Sequence, residues 1–148
     1  MEYKPLTIFL AEDDEDDRQF FTDAIAQMKV KTKLKTFNDG QELMDHLSDI
    51  DQAEPDLVFL DLNMPRKSGM ECLEEIRKNP RLKDLVIAIY STSASEEDVE
   101  DTFVRGANIY IHKPNDFPAL KKVLADVLSV NWQYHTSGLD KANFLMSI

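Results

Sequence analysis

"VFLDLNMP", Val58 to Pro65, decides how this chain is read. Three apolar residues run into Asp61, and a proline follows four positions later. A short, fully apolar run of this kind is the pattern of a strand covered on both faces. A charge buried without a partner is costly, so an aspartate here marks the strand's end. Asp61 is therefore either an error of burial or a working group at a strand's edge, and Pro65 belongs to the loop that follows.

The flanking sequence repeats the same alternation. Apolar strands are expected at Leu6 to Ala11, at the "LVFL" before Asp61, at "VIAIYS" and at "NIYIH", with "KTKLKTF" as a strand wet on one face. Helical spacing joins Phe20, Phe21, Ala24, Ile25 and Met28, then Leu43, Met44 and Leu47, then Met70, Leu73 and Ile76. Ser95 with Asp98 three residues on predicts a capping box for a fourth helix ending at Gly106. Pro118 suits the first turn of a fifth, whose stripe is Leu120, Val123, Leu124, Val127 and Leu128. Five strand–helix pairs predict an α/β fold, a parallel sheet with helices on both faces.

Composition excludes several functions. The chain has 148 residues, enough for one core. Its net charge is 17 − 28 = −11, which disfavours nucleic acid as a partner. The one cysteine, Cys72, forms no internal disulfide and reads as a small buried residue. No apolar run approaches the roughly 18 residues of a membrane span, and the N-terminus is too polar for a signal peptide. A cytoplasmic protein with no membrane insertion is expected.

Ligands of open α/β sheets bind beyond the carboxyl ends of the strands. Those ends carry Glu12 and Asp13, then Asp61, then Ser91 and Thr92, then Lys113 followed by Pro114. Converging carboxylates repel unless a cation joins them, and hard oxygen donors select Mg²⁺, with Mn²⁺ also suited. A metal-bound carboxylate can attack phosphorus, while a lysine and a hydroxyl neutralise the phosphoryl oxygens. The remaining acids, Asp14 to Asp17, read as complements to a helix macrodipole. His46, His112 and His135 are scattered and take no role.

The segments "FLAEDD", "LVFLDLNMP", "SGMECLEEIR", "IAIYSTSAS" and "YIHKP" together resemble the receiver domain of two-component response regulators, over about residues 5–130. Within that family the chain is most similar to the single-domain, phytochrome-associated type. The resemblance implies a flavodoxin-like, doubly wound sheet of five parallel strands in the order 2-1-3-4-5, with five helices. It implies Asp61 as phosphoacceptor and Mg²⁺ held by Asp13, by Glu12 through water, by Asp61 and by the Asn63 backbone carbonyl. Ser91 and Thr92 would meet the phosphoryl group, with Lys113 as its charged partner and Tyr110 as the aromatic that follows the switch. Asn63 and Ser93 would tune dephosphorylation, and the Lys113–Pro114 bond would be cis.

The implied partners are a sensor histidine kinase or histidine phosphotransfer protein and a downstream protein. The implied chemistry stops at the chain's own phosphorylation and autodephosphorylation, so it is no conventional enzyme. A binding module with vestigial phosphorylation is the alternative. A phosphatase with an aspartyl nucleophile would need a second aspartate where Asn63 stands, and the acids after the first strand would repel the phosphate of a flavin. Residues 131–148 are expected as a short extension beyond a 1–130 receiver domain. They are too apolar for a simple disordered end, and are expected to dock on their own domain or on a second copy as a homodimer.

Overall fold

The computed structural model describes residues 5–129 and the backbone of 145–146. The strands are β1 (Leu6–Ala11), β2 (Thr32–Phe37), β3 (Leu57–Leu60), β4 (Ile87–Ser91), β5 (Ile109–His112) and β6 (Leu145–Met146). The helices are α1 (Glu15–Ala26), α2 (Gly40–Ser48), α3 (Gly69–Lys78), α4 (Glu96–Val104) and α5 (Phe117–Ser129). All strand pairs are parallel, in the order β2-β1-β3-β4-β5-β6. The expected five-strand order is present, and a two-residue sixth strand extends it: Leu145 pairs with Tyr110 and Met146 with Ile111. That pairing places a piece of the C-terminal segment on its own sheet. The rest of the expected docking of 131–148 lies outside the described residues.

Alternation along the strands divides the core in two. Phe9, Ala11, Val58, Leu60, Ile87 and Ile89 face α2, α3 and α4, packing with Leu43, Leu47, Leu73 and Ile76. Ile8, Leu10, Leu57, Phe59, Ala88 and Tyr90 face α1 and α5, packing with Phe21, Ile25, Leu120 and Leu124. Phe21 sits edge-on to Phe59 and Tyr90, with centroids 4.8 and 5.4 Å away. Both faces of β3 are buried, which explains why "LVFL" is apolar without alternation. β2 closes the opposite edge with Lys33 and Lys35 exposed, and charges there discourage further pairing.

At the amino ends of β4 and β5 the framework is clasped by Arg77. Its guanidinium donates to the carbonyls of Lys83, Leu85 and Gly106 and to the Asn108 side chain, at 2.7–2.9 Å. Asn108 Oδ1 also accepts from Ile87 N at 2.8 Å. The non-working end of the sheet is thus pinned by hydrogen bonds. Connections reverse direction between β1 and β3, which opens the crevice at their carboxyl ends.

Candidate functional site

Ladder-like hydrogen bonds carry the working residues just past the strands. Glu12 N donates to Phe37 O at 3.0 Å, Asp61 N to Ala11 O at 3.1 Å and Lys113 N to Ser91 O at 2.7 Å. Each side chain therefore stands on backbone that the sheet already holds. Glu12, Asp13 and Asp61 bring carboxylate oxygens within 4.8 Å of one another, with Glu12 and Asp61 buried and Asp13 exposed. Arg18 donates to the carbonyls of Glu12 at 2.8 Å and Asp13 at 3.1 Å, which folds the acidic loop toward α1.

Lys113 Nζ enters this group from β5. It forms an ion pair with Glu12 Oε1, lies 3.0 Å from Asp17 Oδ2 and 3.8 Å from Asp61 Oδ2, and sits over the Tyr90 ring at 5.3 Å. Asp17 is a correction to the expectation for Asp14 to Asp17. Asp14 is the N-cap of α1 and accepts from Asp17 N, but Asp17 itself turns its carboxylate to Lys113. From the first turn of α1 it reaches across to the end of β5, and nothing in a run of acids marks which one does so.

One ammonium serves three acids, so the charge is not balanced by protein alone. Burial pushes the Glu12 carboxyl up to about 8, an effect that Lys113 offsets only in part and that nearby Asp61 reinforces. Burial also raises Asp61, against the pull of Lys113. Lys113 is held above the ordinary lysine value because its acidic neighbours outweigh burial. Glu12 Oε1 is buried and makes no aligned hydrogen bond, although the lysine lies against it as an ion partner. A surplus of hard, partly unsatisfied carboxylate oxygens fits a small divalent cation.

The loop after Asp61 is built tightly. A Cβ on Gly69 would lie 2.1 Å from Asp61 O, so only glycine allows α3 to start this close to the acid's backbone. Gly69 N donates to Leu62 O at 3.0 Å. Ser68 and Glu71 close a reciprocal capping box, each backbone N–H meeting the other's side chain at 3.2 Å. Asn63 is exposed, and its N–H reaches Asp61 Oδ1 at a long 3.4 Å. Arg66, at φ 67°, spans to Asp39 of the α2 N-cap at 3.5 Å.

The loop after Ser91 is built differently. Ser91 is fully buried and accepts from Ser93 N at 3.1 Å, while Thr92 lies exposed at the rim. Ser95 caps α4 by accepting from Asp98 N at 3.1 Å. The expected box is only half present. The Asp98 side chain takes the Ser93 hydroxyl at 2.6 Å, and Ser95 N donates to Ser93 Oγ at 3.3 Å. Tyr110 is fully buried, with its hydroxyl donating to Ser93 O at 2.8 Å. The aromatic expected to turn inward is already inside, where the short side chains of Ser91 and Ser93 leave it room.

The expected cis bond is absent. No peptide bond among the described residues is cis, so Lys113–Pro114 is trans. Trans is the lower-energy isomer by about 0.5–1 kcal/mol for such bonds, and Lys113 reaches the acids without leaving it.

Comparison with known proteins agrees with this fold. The family described as response regulator receiver domain matches residues 8–125. Response regulator Rcp1 of Synechocystis is 31% identical over 129 residues, covering 84% of this chain and 88% of that protein. The solved phosphorylated cyanobacterial phytochrome response regulator RcpA superposes with TM-score 0.78 at 30% identity, over 93% of this chain and 98% of its own. The Mn²⁺-bound form of Rcp1 gives 0.76 at 27% identity, over 92% and 98%.

Proposed function

The chain belongs to the response regulator receiver family, and we propose that it is a phospho-switch whose acceptor is Asp61. The observation that carries the proposal is the meeting of Glu12, Asp13 and Asp61 within 4.8 Å, with Lys113 Nζ 3.8 Å from Asp61. An Asp61 carboxylate oxygen attacks the phosphorus of a phosphohistidine in line. The P–N bond breaks, an acyl phosphate forms and the imidazole leaves. Lys113 and the Ser91 hydroxyl neutralise two phosphoryl oxygens, and backbone at Thr92 serves the rim. Glu12, Asp13, Asp61 and the Asn63 carbonyl would hold Mg²⁺ or Mn²⁺, which supplies charge for the remaining oxygens. Mn²⁺ in Rcp1 and phosphorylation of RcpA support this assignment.

The donor is a sensor histidine kinase or a histidine phosphotransfer protein, and the relatives' names favour a phytochrome-type kinase. The setting is the cytoplasm; no helix among the described residues is long and apolar enough to cross a membrane. Output leaves through the α4–β5–α5 face to a downstream protein, since Ser91 and Tyr110 both end at the base of α4. Hydrolysis is slow, because Ser93 is too short to orient a water behind the phosphorus and Asn63 alone remains to do so. Amide chemical shifts with Mg²⁺ and beryllofluoride test the whole reading. The Asp61 pocket, Ser95 to Arg105 and Tyr110 should move together, and Asp61→Asn should abolish all three. A silent wild type would instead leave a binding module with vestigial phosphorylation.

A further inference from the structure

Ser93 joins four groups at once. Its N–H donates to Ser91 Oγ, its carbonyl accepts from Tyr110, its hydroxyl donates to Asp98 Oδ2, and the hydroxyl oxygen accepts from Ser95 N. A hydroxyl has one proton, and the 2.6 Å contact to a carboxylate takes it. Toward Ser95, whose N and Oγ both lie 3.3 Å away, the hydroxyl oxygen can therefore only accept.

This arrangement is a capping box with one residue inserted. In α3 the Glu71 carboxylate returns directly to Ser68 N. In α4 the aspartate is one methylene shorter, and the Ser93 hydroxyl bridges the gap to Ser95 N. The bridging residue lies two positions after Ser91. Resting on the phospho-switch reading, we propose that Asp98 is a positioning residue: through Ser93 it holds the Ser91 hydroxyl and the inward Tyr110 ring in the arrangement that receives a phosphoryl group. The N–H from Ser93 polarises the Ser91 hydroxyl as a donor. Tyr110 keeps its buried place because the carbonyl it meets belongs to a residue anchored on its other side. The first turn of α4 thereby feels the state of Ser91 through two consecutive hydrogen bonds, Ser93 N to Ser91 Oγ and Ser93 Oγ to Asp98 Oδ2.

Asp98→Glu separates this role from helix capping. The longer acid can close the ordinary box on Ser95 N as Glu71 does, which preserves the cap and releases Ser93. The 148-residue chain is compared as wild type, Asp98→Glu, Asp98→Ala and Glu96→Gln, the last removing a first-turn charge outside the relay. In the unliganded state, Asp98→Glu should keep the melting temperature yet shift the Ser93 amide and Tyr110 ring resonances in the direction seen for Asp98→Ala. With Mg²⁺ present, its beryllofluoride midpoint should rise about fivefold to tenfold, the low end of typical allosteric coupling. Glu96→Gln should do neither. Unmoved Ser93 and Tyr110 signals in Asp98→Glu, an unchanged midpoint, or an equal effect of Glu96→Gln would overturn the proposal. If wild type ignores beryllofluoride, the phospho-switch reading falls, and the unliganded Ser93 and Tyr110 signals decide the positioning role alone.

Discussion

The loops after β3 and β4 each carry a buried polar residue out of the sheet and into a helix capped by serine, yet they are closed in opposite ways. After Asp61, α3 abuts the acid's backbone at Gly69, and Ser68 and Glu71 satisfy each other without outside help. After Ser91, the cap of α4 is completed only by Ser93, which is bonded in turn to Ser91 and Tyr110. A self-sufficient cap isolates its helix from the strand end. A cap that borrows a loop residue transmits what happens there. The Asp61 corner is thus closed on itself, and the Ser91 corner is tied by hydrogen bonds to the helix that follows it.

Gly69→Ala breaks the Asp61 corner most severely. The added methyl would sit 2.1 Å from Asp61 O, and overpacking of backbone against backbone has no soft neighbour to yield. A loss of about 3 kcal/mol is expected in denaturant unfolding, with weaker Mg²⁺ binding. Wild-type stability in this variant would show that α3 does not brace the acid.

The same corner should give the protein its pH response. Glu12 is raised by burial to about 8, above its ordinary 4.5. A raised carboxyl stabilises the fold fully below its unfolded pKa, and that contribution is lost as pH rises through the folded value. Metal-free protein should therefore lose thermal stability between about pH 4.5 and 8, and Mg²⁺ should restore it at the upper end. Glu12→Gln should flatten the curve, whereas Ser93→Ala should leave its slope intact. A slope unchanged by Glu12→Gln would place the titration elsewhere.

The smallest effect distinguishes the caps. Ser68→Ala and Ser95→Ala should each cost about 1 kcal/mol, since each removes one side-chain acceptor from a helix start. Only Ser95→Ala should also change the beryllofluoride response. Equal signalling effects from both would erase the contrast between the loops.

Much of this was legible because burial leaves a plain pattern. "LVFL" and "IAIYS" are apolar on both faces, and residues at successive strand ends must meet at one sheet edge, so Glu12, Asp61, Ser91 and Lys113 could be grouped in advance. Asp17 could not, because its partner is fixed by the tertiary placement of α1 beside α5, and a run of four acids looks the same whichever one turns. The relay through Ser93 was hidden for a related reason. "STSAS" offers three serines within hydrogen-bonding range of one another, and only loop geometry chooses among them. Leu145–Met146 is too short a strand for any periodicity to show.

The central claim is that Asp61 accepts a phosphoryl group with a divalent cation in place. Intact-mass measurement after incubation with acetyl phosphate tests it most directly. One phosphoryl group should be added with Mg²⁺, none with chelator and none in Asp61→Asn. Equal modification of Asp61→Asn, or modification indifferent to chelation, would contradict it.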